Sequence, residues 1–362
     1  MTQRAVAYAP LNIQRDAVQK IAVFRALFLG DLLCTVPAFR ALRRRYPQAE
    51  ITLIGLPWAA EFVERVPYLD RFVAFPGYDG LQEVSYKPGQ TEAFLRASQA
   101  ASYDIALQMH GDGHVSNGFV GALGARLSLG YRRGTDERLG FSLPYEQSQH
   151  EVLRWLRLVA ALGAPVDDRR IELPTTDADE RQASRLLADA SSGPLVALHA
   201  GAKDQARRWS PERFAAVGDA LVEQSGARIV LTGSAGEREI TAAVQRAMRY
   251  PALNLAGATD LGTFAAVLRR VDLLLSNDTG ASHVAAATGT RSVVLFGPSR
   301  PEQWAPLDRE RHQVIDAAAL SGTDPSIALQ HLPVEPVLSA CIEILRNIGN
   351  KETKETKERA RG

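Results

Sequence analysis

Twice along this chain, short apolar runs alternate with amphipathic stretches of helical length. That alternation restricts the fold more than any other feature. A run apolar on both faces belongs in a sheet interior, and the helix-like segment after it supplies the crossover that a parallel neighbour requires. Residues 21–24, 51–54, 72–75 and 105–109 read as strands of a first series, with a helix over 38–46 stopped by Pro47. A second series falls at 195–198, 229–231, 271–275 and 293–296, with helices over 211–224 and 262–270. Two series predict two doubly wound α/β domains, and 362 residues are enough for each to bury its own core. Apolar periodicity lapses at "LPTTDADE" (173–180), so the expected domains are 1–172 and 173–334. A last helix, with Pro336 in its first turn, is expected within 335–350, placed to pack back across the join. The charged repeat "KETKETKERARG" (351–362) has no core to join and is expected to be a disordered tail or a fraying helix end.

The bulk numbers exclude several functions. A net charge of +1 argues against a dedicated nucleic-acid binder. Cys34 and Cys341 have neither metal-site spacing nor the pattern of a disulfide framework, which fits a reducing cytoplasm. The N-terminal stretch lacks the apolar core of a signal peptide, and no apolar run approaches the roughly 18 residues of a membrane span. The expected location is cytoplasmic, with peripheral contact at a membrane surface compatible with the sequence.

The strongest chemical signal is "VDLLLSNDTGASHVAAATGTRSVVLFGPSRPEQWAP", 271–306. An apolar strand runs into a polar loop, 276–280, and then into an alanine-rich helix ended by Gly289. Open α/β sheets bind ligands at the carboxyl ends of their strands. Free amides at the helix start, the Thr279 hydroxyl and the permissive backbone of Gly280 make an anion site suited to a diphosphate. Asp278 either caps that helix or faces the ligand, and His283 lies in the first turn. A second loop, 297–301, adds small residues, with Trp304 beside it as a brace or a core residue. In "LVALHAGAKDQARRWSPERF" (195–214), a strand ends at His199 and a small-residue turn follows. Lys203, Arg207 and Arg208 come next, placed to neutralise phosphate or simply to be solvated. The stretch "LTGSAGERE" closes the following strand with glycines and Glu237. There is no GxGxxG and no GxxxxGK[ST], which disfavours a Rossmann dehydrogenase and a P-loop NTPase.

In the first half, "LFLGDLLCTVPAFRALRRRYP" (27–47) sets one acid, Asp31, between an apolar run and a basic helical segment. Asp31 is either a helix cap or a base at a strand end. With Pro37 near the start of the regular helix, Asp31 is expected in the loop before it. "QMHGDGHVSNGF" (108–119) alternates His110, Asp112 and His114. That spacing is open to a metal, but the reading taken is an acceptor-pocket loop with no metal site.

"LGDLLCTVPAFRALRRRYPQAEITLIG", "HAGAKDQARRW" and "NDTGASHVAAATGTRSVVLFGP", in that order, resemble the bacterial heptosyltransferases of glycosyltransferase family 9, which build the lipopolysaccharide inner core. The resemblance spans roughly residues 21–306, and its third motif, D-T-G-x-x-H-x-A-A-A-x-G-T, is the most specific. It implies a GT-B fold of two Rossmann-like domains facing across a cleft, acceptor on the N-terminal side and nucleotide-sugar on the C-terminal side. It also implies inverting transfer from ADP-heptose with neither metal nor cofactor. Carried over by motif, the base falls on Asp31 and the donor loop on Asp278, Thr279, Gly280 and His283. The phosphate cation falls among Lys203, Arg207 and Arg208, where the family often has Lys before the Trp and this loop is one residue longer. The ribose-binding acid falls on Glu237, and Gly30 sits beside the base.

A carboxylate that takes the proton of an attacking hydroxyl contributes about 10²–10⁴-fold, and amides with cations stabilise the departing diphosphate without a metal. Transfer of this kind needs no second acid. Rival readings are a transferase for another nucleotide sugar or a non-lipopolysaccharide acceptor, a nucleotide-sugar epimerase, and a non-catalytic nucleotide-sugar sensor. The acceptor, a glycan or glycolipid, is expected at loops 76–90 and 110–134, with Gly30, His110, Asp112, Arg132 and Arg133 as candidate contacts, the two arginines otherwise belonging to a solvated face. Oligomeric state leaves no mark in the sequence. If Arg132 and Arg133 meet acceptor phosphate, replacing both weakens binding of a phosphate-bearing acceptor in a titration; unchanged affinity removes them from the site.

Overall fold

The computed structural model describes residues 11, 13–188 and 193–359, with side chains through Ile348. The chain divides into two compact units between Ile171 and Glu172.

In the first unit, β1 (Lys20–Phe24), α1 (Leu29–Leu33), α2 (Val36–Arg45), β2 (Glu50–Gly55), α3 (Ala59–Arg65) and β3 (Arg71–Ala74) come first. They are followed by α4 (Pro88–Ala101), β4 (Ile105–Gln108), α5 (Ser116–Ala122), β5 (Leu127–Arg132), β6 (Phe141–Pro144) and α6 (Glu151–Ala160). The sheet is parallel, in the order β3-β2-β1-β4-β5-β6. The central strand β1 is buried on both faces from Ile21 to Phe24, as its continuous apolar run requires.

The second unit begins with α7 (Asp177–Leu186), β7 (Leu195–His199), α8 (Pro211–Ser225), β8 (Arg228–Leu231), α9 (Arg238–Ala247) and β9 (Ala252–Asn254). Then come α10 (Leu261–Leu268), β10 (Leu273–Asn277), α11 (Gly280–Thr288), β11 (Ser292–Phe296), α12 (Pro301–Trp304) and β12 (His312–Asp316). Helices α13 (Ala317–Ser321), α14 (Ala328–His331) and α15 (Val334–Arg359) complete it. Its parallel sheet runs β12-β11-β10-β7-β8-β9, the same winding as the first. Helix ends are set locally. Ser210 accepts from the Arg213 amide ahead of Pro211, Gly226 closes α8 at φ 63°, and Asp260 caps α10 through the Thr263 amide at 2.7 Å.

In each sheet the chain reverses its winding direction once, between β1 and β4 and between β7 and β10. Connections leave the two strands on opposite sides there, so a crevice opens at their carboxyl ends. Asp31 and His110 follow β1 and β4; His199 and Asp278 sit at the ends of β7 and β10.

Several expectations need correction. Asp31 lies inside the short helix α1, not in a loop, and the helix cap is Phe28. Residues 110–134 are not one loop, because α5 and β5 occupy most of the stretch. The edge strands β6, β9 and β12 are only partly buried, so they lack the continuous apolar run by which interior strands were found. Strand β10 extends through Ser276 and Asn277, polar residues with no exposed surface, where a loop was expected. Helix α15 carries Val337, Leu338, Ala340, Cys341 and Ile344 into the core of the second unit, against α8, β10 and β11. Its backbone stays helical to Arg359, so through that residue the tail continues as a helix end, consistent with the helix propensity of Lys and Glu; 360–362 lie outside the described residues. Ile344 is almost fully buried there. Ile344→Ala should cost about 2–4 kcal/mol, read as a lower denaturant midpoint with unchanged slope.

Candidate active site

In the first unit, buried charge gathers at the winding reversal. Arg25, the residue after β1, is 1% exposed, too deep to be solvated, so its guanidinium must be satisfied by protein. Its Nε donates to the Asp31 carbonyl at 2.8 Å, its Nη1 donates to the Met109 carbonyl, and its face lies 4.6 Å from the Trp155 ring centre. Nη2 is 3.5 Å from Asp31 Oδ1 and 3.5 Å from Glu151 Oε2. Glu151 opens α6 and accepts from Arg154 Nε at 2.8 Å. Arg154 has no exposed surface and stacks 4.0 Å over Tyr145.

The Asp31 side chain is 21% exposed, enough for a ligand to touch it. Burial raises its pKa above the usual carboxylate value; Arg25 opposes the shift, Glu151 adds to it, and the Phe28 amide and His110 oppose it. His110 stacks on Phe24 at 4.9 Å. Its Nδ1 accepts from the Ala26 amide at 3.3 Å, which leaves Nε2 to face Glu83 Oε1 at 3.4 Å. That bond holds the Glu83 pKa below its usual value, against the effect of burial.

The other proposed acceptor contacts are engaged with the protein. Gly30 is buried in α1, and its carbonyl accepts from the Cys34 amide. Asp112 pairs with Arg133 Nε at 2.8 Å and accepts from the His114 amide, while Arg132 donates to the Gly134 carbonyl. His110, Asp112 and His114 thus do not converge, and among the described residues no three His, Cys, Asp or Glu side chains group as metal ligands. Gly113 has φ 88°, and a Cβ there would stand 2.1 Å from the Tyr131 carbonyl, so this loop must hug β5.

In the second unit the loop after β7 is tied to β10. Asn277 Nδ2 donates to the Ala200 carbonyl at 2.9 Å, and its Oδ1 accepts from the Trp209 amide at 3.1 Å. Trp209 is fully buried and donates from Nε1 to the Leu332 carbonyl at 3.0 Å. Between these anchors the three candidate cations separate. Arg208 Nε is committed to the Ala202 carbonyl at 2.7 Å, and its charge acts on Glu237. Lys203 stands on the exposed bend. Arg207 Nη1 reaches Asp278 Oδ2 at 3.6 Å and lies with it ahead of α11.

Asp278 does not cap α11; Thr279 holds that position with no side-chain cap bond. The Asp278 carboxylate accepts from Ser299 Oγ instead, which joins the two loops. Gly280 opens the helix, and His283 is buried in its first turn, edge-on to Trp304 at 6.4 Å. Glu237 accepts from the amide and hydroxyl of Ser234 through one oxygen, at 2.7 and 2.8 Å. Its other oxygen lies so close to Gly201 that a Cβ there would stand 2.0 Å away. The Ser234 bonds and the charges of His199 and Arg208 hold Glu237 below the usual carboxylate pKa, against burial. His199 is itself pushed down by burial, which Glu237 partly offsets, and its Nδ1 lies 3.1 Å from Thr232 Oγ1. This crevice offers helix amides and an arginine for an anion, and a fixed carboxylate for hydroxyls.

Sequence reasoning missed Arg25, Glu83, Glu151 and Arg154 in the first unit, and His199, Asn277 and Ser299 as working members of the second. Arg25 and Asn277 had a detectable signal, since each is a polar residue continuing an apolar strand. Glu83, Glu151 and Arg154 lie 58, 126 and 129 positions from Arg25, with no local pattern to link them.

Two units of this winding define a GT-B-like fold, and solved structures share it. A glycosyl transferase family 9 protein from Veillonella parvula matches with TM-score 0.76 and 20% identity, over 91% of this chain and 97% of that one. The Escherichia coli heptosyltransferase WaaC with ADP-2-deoxy-2-fluoro heptose matches with TM-score 0.63 and 20% identity, over 90% and 99%. Among curated proteins, lipopolysaccharide heptosyltransferase 2 of Escherichia coli K12 is 25% identical over 311 residues, 80% of this chain and 86% of that protein. The model of glycosyltransferase family 9 (heptosyltransferase) matches residues 92–322, and the chain belongs to that family.

The raised Asp31 pKa has a consequence for stability. The folded protein holds this proton more tightly than the unfolded chain, so its contribution favours folding at low pH and is lost as pH rises through the raised value. Asp31→Asn removes that neutral-pH penalty while Glu151 still pairs Arg25. The variant's Tm should equal or exceed that of the wild type near neutral pH, with the gap closing towards about pH 4. A clear loss of Tm at neutral pH would make Asp31 a structural partner of Arg25 instead.

Proposed function

We propose that the protein is an inverting heptosyltransferase that moves heptose from ADP-heptose to a hydroxyl of a lipopolysaccharide-core acceptor, with Asp31 as general base. The observation that carries this reading is the placement of Asp31. It is a partly exposed carboxylate at the winding reversal of the first sheet, and burial makes it more basic than an ordinary aspartate. A base must hold a proton in the transition state and release it afterwards, and a carboxylate locked to a cation does this poorly. Direct displacement at the anomeric carbon by the hydroxyl that Asp31 deprotonates inverts the configuration there.

The donor half of the reading rests on the second unit. The α11 amides at Gly280–His283 and the Arg207 guanidinium suit the diphosphate, whose β-phosphate gains charge as the glycosidic bond breaks. Of the three candidate cations, Arg207 is favoured, since Arg208 is bound to its own loop. Glu237, fixed by Ser234, suits the ribose hydroxyls, and Gly201 allows it the required approach. These groups need no metal for leaving-group stabilisation. The ADP-heptose donor follows from the family and from the ADP-sugar bound by the Escherichia coli relative. Lipopolysaccharide core synthesis follows from what its curated relatives do. Core assembly on a lipid-borne acceptor would bring the protein to the inner membrane's cytoplasmic face; among the described residues no helix is long and apolar enough to cross a membrane.

Thermal shift with ADP, UDP, GDP and CMP tests the donor. ADP at about 100 times its Kd should stabilise the protein by roughly 2.7 kcal/mol, and a stronger response to UDP or GDP would replace the donor sugar. Asp31→Ala should lower transfer by about 10²–10⁴-fold and leave the ADP response intact, whereas wild-type turnover would remove Asp31 from the mechanism. ADP-heptose incubated without acceptor should keep its sugar configuration; an altered sugar would make the protein an epimerase.

A further inference from the structure

Arg25 Nη2 is 3.5 Å from a carboxylate oxygen of Asp31 and 3.5 Å from one of Glu151, yet it makes no hydrogen bond to either. An arginine beside a single carboxylate closes to a fork of short parallel bonds. Here the guanidinium is held away from that geometry. Nε and Nη1 are anchored to the carbonyls of Asp31 and Met109, Trp155 lies against its face, and Nη2 is suspended between two acids. Glu151 is fixed in turn by Arg154, whose Nη2 is bound to the Glu146 and Gln149 carbonyls at 2.9 and 3.0 Å. The set is charge-balanced, two arginines to two acids, and lies in a region where charge is costly unless paired.

Resting on the assignment of Asp31 as base, we propose that Glu151 is a positioning residue for it, acting through Arg25. By dividing the Arg25 guanidinium between two carboxylates, Glu151 keeps Asp31 out of a closed ion pair and leaves it able to take the acceptor's proton. Arg154 has the supporting part of holding Glu151 in place. The groups acting on Asp31 are Arg25 after β1, His110 with Glu83 behind it after β4, Glu151 at the start of α6 and the Phe28 amide of its own turn. Only Glu151 both adds negative charge and competes for Arg25. Without it, Arg25 has one anionic partner left, and Asp31 becomes the weaker base.

Glu151→Gln tests this, since the amide oxygen can still accept from Arg154. Carboxyl-¹³C aspartate is incorporated into the full chain, and the Asp31 signal is assigned by its absence in Asp31→Asn. In the wild type this signal should titrate above the ordinary carboxylate range, and in Glu151→Gln its midpoint should move down. The acid limb of kcat/KM for transfer from ADP-heptose to a heptose-deficient lipopolysaccharide core should move down with it, and the plateau should fall roughly three- to ten-fold. An Asp31 signal in the wild type that titrates at or below the ordinary range overturns the proposal without any variant needing to fold. A lower Tm in Glu151→Gln with an unmoved midpoint overturns it too, because the role is then structural. If Asp31→Asn keeps full activity, the base assignment itself fails and takes the positioning role with it. If Asp31→Asn is inactive and the midpoint does not move, only the proposal about Glu151 fails.

Discussion

A parallel strand buried on both faces must be reached by a crossover, and crossovers of one hand wind a sheet in one direction until the chain starts again from its first strand. In this protein that constraint acts twice, and everything functional depends on the two places where the winding reverses. At each, the strand ends are left uncovered by their own connections. Helix starts and the side chains that follow these strands are gathered there. The candidate base and the candidate donor loop occupy equivalent positions in two sheets of the same order. Winding, more than local sequence, makes them candidate binding positions.

The two crevices are then built differently. In the second unit, polar groups are fixed by hydrogen bonds from uncharged partners. Asn277 ties the loop after β7 to β10, Ser234 fixes Glu237, and Ser299 holds Asp278. Such bonds hold acceptors and amides in place while leaving the helix start ready for an anion. In the first unit the fixing is electrostatic. Arg25, Glu151 and Arg154 are buried with little water to screen them, so each position depends on the others. Networks of that kind are destabilising if one member is lost, and they control how readily a neighbouring carboxylate is protonated. The raised pKa of Asp31 marks a local cost to stability at neutral pH, which the apolar core of its unit offsets.

The resemblance to family 9 rested on three motifs, and the family match extends over residues 92–322. Motif reasoning found local structure where backbone and short spacing set it. Gly280, Thr279 and the alanine-rich helix α11 fall within a dozen residues, so the helix start follows from adjacency. It separated the three cations poorly, because Lys203, Arg207 and Arg208 look equivalent until Arg208 is seen bound to Ala202 and Arg207 beside Asp278. It misread 110–134 as a loop because β5 never has two apolar residues in succession and carries a glycine near its centre.

The sequence by itself determined the two α/β series, the interior strands and the helix start at α11 that is the candidate anion site. Hydrophobic periodicity and glycine placement are local properties that every residue carries with it. Only the tertiary structure decided which charges meet. Glu151 and Arg25 are 126 residues apart. They come together because the turn after β1 and the start of α6 are brought to the same end of one sheet, and β4 adds His110 beside them. The edge strands, too, were decided by pairing, since a half-exposed strand gains its hydrogen bonds from a neighbour already in place and leaves little mark of its own. Contacts of long sequence separation are fixed by topology, and topology is a property of the whole chain.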